Sequence, residues 1–261
     1  MIFAQDIHHS IFNPEILLDE DYIEQLRSRI KQGDIYIFSG FAEQSSLPKI
    51  KDYLINVGRN SLPNYYPIDV GSPNFHRLNR YDERAYVKGC FHQFVFYPWN
   101  QDIFNLFQLF RNVYRLKNRI SGLNADAFMG PQPEKDCIAR LAFQHYPSGG
   151  GMLNRHSDPV DYHQLTVPTM MISKKGEDFF SGGAYVVNEH QEKICLDDHM
   201  NLGDVVFFNA EVVHGVDEID PDHEMDWLSF KGRWMLLFAV NKLSSNTQIS
   251  SSQDHDHKKG V

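Results

Sequence analysis

The hydrophobic pattern in the first half of the chain has the period of an α-helix. Ile23, Leu26 and Ile30 recur at spacings of three and four residues, which places them on one helical face. Acidic residues at the start of this stretch and Gly33 at its end are typical of helix boundaries. The pattern predicts helices over Asp19–Gly33, residues 46–57 and Asn100–Ile120, a strand over Asp34–Gly40, and a long irregular loop over residues 59–87.

Beyond residue 136 the period shortens to about two, as expected for strands whose alternate side chains face a core. Turns rich in Gly and Asp separate the apolar stretches. Many short strands after a helical region predict a mainly β fold with flanking α-helices, a jelly roll buttressed by the N-terminal helices. The predicted strands are Cys137–Tyr146, Gln164–Ser173, Ala184–Asn188, Val205–Asn209, Val212–Val216 and Trp234–Val240.

The length of 261 residues is suited to one sizeable domain. We predict a single domain over residues 1–243, in which residues 1–136 supply helical support and a lid, and residues 137–243 supply the core. Residues 244–261 are rich in Ser, Asp, His and Lys and have no apolar anchor. They are therefore predicted to form a disordered tail.

Composition and charge exclude several classes of partner. The net charge of −9 argues against a nucleic-acid partner, because phosphate binding needs clustered Lys and Arg. No apolar stretch is long enough to span a membrane. The three cysteines lie far apart, which is typical of a reducing compartment. We therefore expect a cytoplasmic protein with a small-molecule substrate, and its oligomeric state is left open.

Three side chains are candidates for a metal site. His156 and Asp158 are two residues apart, so an extended segment turns both to the same side. His214 follows a Gly-Asp turn, where antiparallel pairing can bring it back beside them. Two imidazoles and one carboxylate leave three coordination positions open, as in non-heme Fe(II) oxygenases, whereas a structural zinc site uses four protein ligands. Taken singly, His156 and Asp158 are also compatible with a surface turn. His214 by itself is also compatible with a buried histidine of the core.

A cation at the start of the last predicted strand is a candidate for anion binding. Alternation places Arg233 on the same face as Met235, Leu237 and Ala239. An arginine on an apolar strand costs free energy unless it meets an anion, such as a dicarboxylate co-substrate. Its guanidinium can hold a carboxylate through two parallel hydrogen bonds. The alternative is an arginine whose charged head reaches solvent at the strand end.

These residues belong to a set of motifs that resembles the Fe(II)/2-oxoglutarate-dependent dioxygenase superfamily, particularly its prolyl-hydroxylase-like branch. The motifs occur in family order between about residues 138 and 241. They are Tyr146-Pro-Ser-Gly-Gly-Gly151, His156-Ser-Asp158, Asp178-Phe-Phe-Ser-Gly-Gly183, Gly203-Asp-Val-Val-Phe-Phe208, His214-Gly-Val216 and Gly232-Arg233.

The resemblance implies a double-stranded β-helix core and an enzyme that uses Fe(II), 2-oxoglutarate and O2. Its implied reaction hydroxylates an unactivated C–H bond while 2-oxoglutarate becomes succinate and CO2. It further implies that Arg233 binds the distal carboxylate of 2-oxoglutarate and that Tyr146 helps to hold it. The loop before Arg233 is longer and more acidic than in the family, and Lys231 is the other cation nearby.

The substrate is expected to be a small polar metabolite, such as an amino-acid-like or natural-product intermediate. Alternation places Arg140 and Gln144 on the face of Tyr146, from which they could bind a polar or carboxylated molecule. Arg80, in the predicted loop over residues 59–87, is a third candidate for substrate binding. A solvent-facing polar side is the alternative for the strand residues.

Three other functions are weighed against this hypothesis. A peptidyl hydroxylase of the prolyl type is compatible with the same motifs. A cupin-like metal protein without 2-oxoglutarate chemistry usually has His-x-His followed by Glu, which is missing from the motifs described above. A non-catalytic module on the same fold would be expected to have lost a metal ligand or the arginine.

Overall fold

The computed structural model describes residues 2–43, 45–160 and 164–256. Its helices are α1 Glu20–Gln32, α2 Ser46–Asn60, α3 Leu106–Leu109 and α4 Arg111–Ile120, with 3₁₀ turns at Pro14–Leu18 and Leu196–Asp198. Its strands are β1 Ile7–Ile11, β2 Ile35–Ser39, β3 Phe75–Arg80, β4 Gly89–Phe96, β5 Cys137–Pro147, β6 Gly151–Ser157, β7 Thr169–Met171, β8 Gly183–Val187, β9 Lys193–Cys195, β10 Val205–Phe207, β11 His214–Ile219, β12 Gly232–Lys242 and β13 Gln253–Asp254.

The strands of the described residues form one sheet, in the order β1-β2-β10-β7-β12-β5-β4-β6-β11-β8-β9. In addition, β3 pairs with β4 and β13 pairs with β6. Among these strands only β1 and β2 pair in parallel, while the other pairs are antiparallel. Side chains of β5 and β12 line the same cavity as side chains of β6 and β11, so the sheet curls over on itself. This is the predicted double-stranded β-helix.

The helices cover the face of the sheet that lies away from the cavity. The apolar stripe Ile23, Leu26 and Ile30 of α1 is buried in the same cluster as Trp234 and Phe238 of β12. Helix α1 begins after its N-cap aspartate and ends at a glycine of left-handed conformation, as the sequence predicts. The mainly β fold with flanking helices is thus confirmed. None of the described helices is both long and apolar enough to cross a membrane.

Residues 1–136 contribute more strands than the sequence predicts. The predicted loop over residues 59–87 contains β3, which pairs with β4. Both strands are polar at several positions, which hides them in the sequence pattern, and β4 is further stabilised by pairing with the distant strands β5 and β6. The helix predicted over Asn100–Ile120 begins at Leu106, because the Asp102 carboxylate accepts the backbone N–H groups of Phe104 and Leu106.

The prediction of a disordered tail from residue 244 onward does not hold for residues 244–256. Most residues from 244 to 252 line the cavity. Gln253 and Asp254 pair with β6. The carboxylate of Asp254 also accepts the backbone N–H of Lys88. Ile249 anchors this segment in the main hydrophobic cluster, and polar contacts hold the rest of it, so a composition poor in apolar residues is misleading. Residues 257–261 lie outside the described residues.

Three buried histidines connect the sheet to the loop before β12. Nε2 of His76 lies 2.9 Å from Nδ1 of His92, and Nε2 of His92 donates to the carbonyl of Trp227 at 3.0 Å. Nε2 of His145 donates to the carbonyl of Lys231 at 3.1 Å. Because His92 accepts at Nδ1 and donates at Nε2, its ring must be neutral in this arrangement. His92 and His145 thus link the sheet to the long acidic loop, and burial favours the neutral form of His92.

We expect the stability of the metal-free protein to fall with acidification. Burial lowers the pKa of His76 to about 4 and that of His92 to about 3, below the value of about 6.5 in an unfolded chain. Between about pH 6.5 and pH 4 the unfolded chain therefore binds more protons, and the free energy of unfolding decreases as pH falls. Each such histidine contributes a slope of about 1.4 kcal/mol per pH unit.

Urea unfolding between pH 7 and pH 5 measures this slope. The His92→Gln variant keeps a donor and an acceptor and should show a shallower decline than the wild type. The exposed His190 offers a control, since His190→Gln should leave the slope unchanged. Equal slopes for His92→Gln and the wild type would contradict the assignment.

Candidate metal centre

Two strands bring the candidate ligands together. His156 lies near the end of β6, His214 begins β11, and the two residues are directly paired in the antiparallel register. Asp158 follows β6 and is fixed by its backbone N–H, which donates to the carbonyl of Ala210 at 2.9 Å. One ligand atom from each of the three side chains lies within 4.8 Å of the others. The predicted cluster is therefore formed in the fold.

Hydrogen bonds fix the orientation of both imidazoles. Nδ1 of His156 lies 2.8 Å from the carbonyl of Asn154, and Nδ1 of His214 lies 2.8 Å from the carbonyl of Val212. A carbonyl can only accept, so each Nδ1 carries a proton, and in the neutral form of each ring Nε2 presents a lone pair. This is the tautomer that a metal ligand requires, and its fixation by an outer hydrogen bond is typical of metal sites.

The carboxylate of Asp158 remains an anion in this cluster. Its Oδ2 atom lies 3.6 Å from Nε2 of His214, and its Oδ1 atom accepts the hydroxyl of Ser252. Burial alone would raise the pKa of Asp158, but the contacts with His214, His156 and Ser252 hold it below its ordinary value. Burial and the neighbouring His214 lower the pKa of His156 to about 4. Neutral imidazoles and an ionised carboxylate are the forms that bind a cation.

The donor set fits a divalent metal with open coordination positions. It has two nitrogens and one carboxylate, and no cysteine belongs to the cluster among the described residues. Such a set is typical of non-heme Fe(II) sites, where the remaining positions accept exogenous ligands. The ring of Phe208 packs against His214 with centroids 5.1 Å apart, which restricts the imidazole on its apolar side.

Ser252 orients the metal-binding carboxylate and lies in the segment for which the sequence predicts disorder. We expect Ser252→Ala to weaken the binding of Co(II) by about 10-fold, since outer hydrogen-bond partners of ligands typically contribute 10- to 100-fold. Absorption titrations with Co(II) measure the affinity. Ser251→Ala removes the preceding hydroxyl and should have no effect. An unchanged affinity in Ser252→Ala would remove Ser252 from the site.

Arg233 meets an anion within the protein itself. Its Nε atom donates to Oδ2 of Asp197 at 2.6 Å and its Nη2 atom to Oδ1 at 2.8 Å. Both side chains are buried, with 2% and 0% of their surfaces exposed. Asp197 was not predicted from the sequence, although the need of a buried Arg233 for an anion was the signal that pointed to such a partner. Asp197 also accepts the backbone N–H of Ala184, which fixes its position.

One nitrogen of Arg233 remains available for a further acceptor. Its Nη1 atom is buried and has no hydrogen-bond partner in the described part of the chain. A buried donor without an acceptor costs free energy. Arg233 itself does not line the cavity among the described residues, so its predicted role as anchor of the co-substrate stays a prediction. Tyr146 is paired with Arg233 in the register of β5 and β12, and its ring centroid lies 5.7 Å from the guanidinium carbon. The hydroxyl of Tyr146 donates to the side-chain oxygen of Gln144. Lys231, the alternative cation, is exposed.

The metal cluster opens into a cavity of about 660 Å³. Arg140, Gln144 and Tyr146 all line it, in agreement with their predicted common face. Arg80 does not, because it is exposed and lies at the end of β3, where alternation turns it away from the cavity. Arg77 lines the cavity instead. Arg77 was not predicted at the site, because residues 59–87 have no clear periodicity and were predicted to be a loop, in which side chains do not alternate between two faces.

No protein-family model matches the sequence. No curated protein sequence matches it either. The fold is similar to that of a Pseudomonas putida prolyl-4-hydroxylase, with a TM-score of 0.52 and 11% identity, covering 84% of this chain and 98% of the other. It is also similar to a 2OG-Fe(II) oxygenase family protein from Caulobacter crescentus, with a TM-score of 0.52 and 12% identity, covering 94% and 89%.

A third solved structure, JOX2 in complex with 2OG, Fe and JA, has a TM-score of 0.52 and 12% identity, covering 96% of this chain and 79% of the other. Each likeness spans most of both chains. Together they confirm that this chain has the double-stranded β-helix fold of the 2-oxoglutarate and iron oxygenases, as the sequence motifs predict.

Proposed function

We propose that the protein is an Fe(II)- and 2-oxoglutarate-dependent oxygenase that hydroxylates an unactivated C–H bond of a small polar metabolite. The observation that carries this proposal is the convergence of His156, Asp158 and His214 at the wall of a cavity, with both Nε2 lone pairs free. The fold supports the proposal, because another member of the fold has been solved with the same metal and co-substrate.

Each residue of the site has a separate role in this proposal. His156, Asp158 and His214 hold Fe(II), and Ser252 orients the carboxylate. Arg233 offers Nη1 to the distal carboxylate of 2-oxoglutarate, and Asp197 fixes the guanidinium plane. When bound, Fe(II) and 2-oxoglutarate supply with O2 the oxidising power that converts C–H to C–OH, and 2-oxoglutarate leaves as succinate and CO2.

The shape of the cavity favours a small molecule over a protein substrate. Residues 244–252 line it from the C-terminal side, and residues 65–68 line it from the long segment before β3. A cavity of about 660 Å³ is of the size that holds a small metabolite. A prolyl-type peptidyl hydroxylase remains the second candidate, since a prolyl-4-hydroxylase shares the fold.

An anaerobic absorption experiment tests the proposed function. Protein, Fe(II) and 2-oxoglutarate mixed without oxygen should give the weak visible charge-transfer band of a chelated 2-oxo acid. Admission of O2 with a metabolite mixture should then release succinate together with a product that has gained one oxygen. Iron binding without the band would favour a cupin-like metal protein that does not use 2-oxoglutarate, and it would overturn the proposal.

A further inference from the structure

Two arginines enter the cavity at positions separate from the metal centre. Arg77 on β3 and Arg140 on β5 both line it, as does the buried Tyr97, which follows β4. The Nε atoms of both arginines and the hydroxyl of Tyr97 are buried and have no hydrogen-bond partner in the described residues. These three unpaired donors indicate that an acceptor binds in this part of the cavity wall.

The positive charge of these arginines is only partly balanced by the residues that the structure describes. No ion pair of Arg140 occurs within them. The carboxylate that pairs with Arg77 belongs to Asp82, at 3.8 Å, and Arg84 already holds both oxygens of Asp82 at 2.9 and 2.8 Å. Burial lowers the pKa of Arg77, and the nearby Arg140 contributes to this against the attraction of Asp82.

A local excess of positive charge contrasts with the chain as a whole, whose net charge is −9. Two like charges that are partly removed from water repel each other and lose hydration, so their proximity costs free energy. An anion bound between them offsets this cost. The aromatic ring of Tyr65 packs against the guanidinium of Arg77, with 5.0 Å from the guanidinium carbon to the ring centroid, and helps to hold it in place.

The position of Arg140 separates it from the site proposed for the co-substrate. On β5, Tyr146 pairs with Arg233, whereas Arg140 pairs with Ala239. Tyr146 and Arg140 are six residues apart along the strand, which corresponds to about 20 Å at 3.3 Å per residue. A molecule the size of 2-oxoglutarate does not span this distance. Arg140 thus lies away from the site proposed for the co-substrate, whereas Arg77 lies level with Gln144, two residues from Tyr146 along β5.

The residues between the two ends of the cavity extend the polar wall. Arg77 is paired with Gln93 on β4, and Gln93 is paired with Gln144 on β5. Both glutamines line the cavity. A molecule whose anionic group lies at the arginines can thus make polar contacts along this row, and its remaining part can reach the end of the cavity that contains His156.

We propose that Arg77 and Arg140, with the hydroxyl of Tyr97, bind an anionic group of the substrate. The substrate class is then a small carboxylic acid, oxidised at a carbon distant from its carboxylate. The conclusion that this acid is a substrate rests on the proposed function. The anion site itself is independent of that function. A phosphate monoester presents similar oxygens to the arginines and is distinguished by the experiment.

Calorimetric titration of the metal-free protein with matched probes tests the anion site. We expect 3-phenylpropionate to bind about 10-fold or more tightly than 3-phenylpropanamide, because hydrogen bonds to a charged acceptor are the stronger ones. Phenyl phosphate should bind more weakly than the acid. Tighter binding of phenyl phosphate would mean that the ligand is a phosphate ester and not a carboxylic acid. Equal binding of the acid and the amide would overturn the site, as would no binding of any probe.

Single substitutions test which side chains cause the preference for the acid over the amide. Arg77→Gln and Arg140→Gln should each abolish the preference for the acid, and Arg77→Lys should retain part of it. Arg80→Gln is the matched control on the same strand, because Arg80 is exposed and outside the cavity, and it should keep the full preference. Thermal unfolding of each variant checks that it folds. Unchanged preference in both folded Gln variants would overturn the proposal.

The charge-transfer band separates this inference from the proposed function. Arg77→Gln and Arg140→Gln should form the band with unchanged affinity for 2-oxoglutarate. An acid preference without any band in the wild type would refute the oxygenase and leave the anion site standing. A weaker affinity for 2-oxoglutarate in these variants would mean that the arginines bind the co-substrate, and it would overturn the inference.

Discussion

The His214→Ala variant is expected to lose the visible band that Fe(II) and 2-oxoglutarate form in the absence of oxygen. Asp158→Ala should have the same effect. The band requires iron held in the site, and each substitution removes one of three protein ligands whose atoms lie within 4.8 Å of one another. Loss of an outer partner of a ligand typically costs 10- to 100-fold in metal affinity, so loss of a ligand should cost more than about 100-fold.

The band and the iron content are measured on the same anaerobic samples. His190→Ala is a suitable control, because the side chain of His190 is 72% exposed and lies away from the cluster. It should retain both the band and the iron. If His214→Ala and Asp158→Ala both kept the band, the ligand assignment would be wrong, and the proposed function would lose the observation that carries it.

Replacement of Arg233 by methionine is expected to have two effects that a second substitution separates. The first effect is on stability, because Asp197 would become a buried carboxylate without a cation. Breaking a buried ion pair in this way typically costs about 3–5 kcal/mol. The second effect is on 2-oxoglutarate, whose affinity should fall by about 10-fold or more with the loss of a charged hydrogen bond. Iron binding should be largely retained.

The double variant Arg233→Met with Asp197→Asn distinguishes the two effects. It removes both charges and keeps an acceptor for the backbone N–H of Ala184, so its stability should return to within about 2 kcal/mol of the wild type. Its affinity for 2-oxoglutarate should remain weak. Urea unfolding and titration of the visible band measure the two quantities. Wild-type affinity in the stable double variant would exclude Arg233 as the anchor.

The buried ion pair also explains how a long loop can precede the strand of Arg233. The guanidinium is held by Asp197, which belongs to the 3₁₀ turn after β9 and not to the loop. The loop is attached separately, through the carbonyls of Trp227 and Lys231 that accept from His92 and His145. Its length therefore does not disturb the position of Arg233 on β12.

Local patterns predicted the elements that depend on local sequence. The stripe of Ile23, Leu26 and Ile30 defined α1, because three apolar residues at helical spacing have a single way to be buried together. Alternation along β5 likewise placed Arg140, Gln144 and Tyr146 on one face. Arg80 was placed wrongly because its segment was predicted to be a loop, so the alternation of β3 was not taken into account.

The sequence by itself indicated the type of fold, the strands β5, β7, β8, β10, β11 and β12, and the three candidate metal ligands, because periodicity and motifs are visible in the sequence, whereas β4 and β6 were not among the predicted strands. Only the tertiary structure decided which partners the charged groups meet. It pairs Arg233 with Asp197, leaves Arg77 and Arg140 facing the cavity together, and brings Ser252 to the carboxylate of Asp158. These contacts join residues far apart in the chain, and the electrostatic cost of a buried charge depends on its neighbours in space.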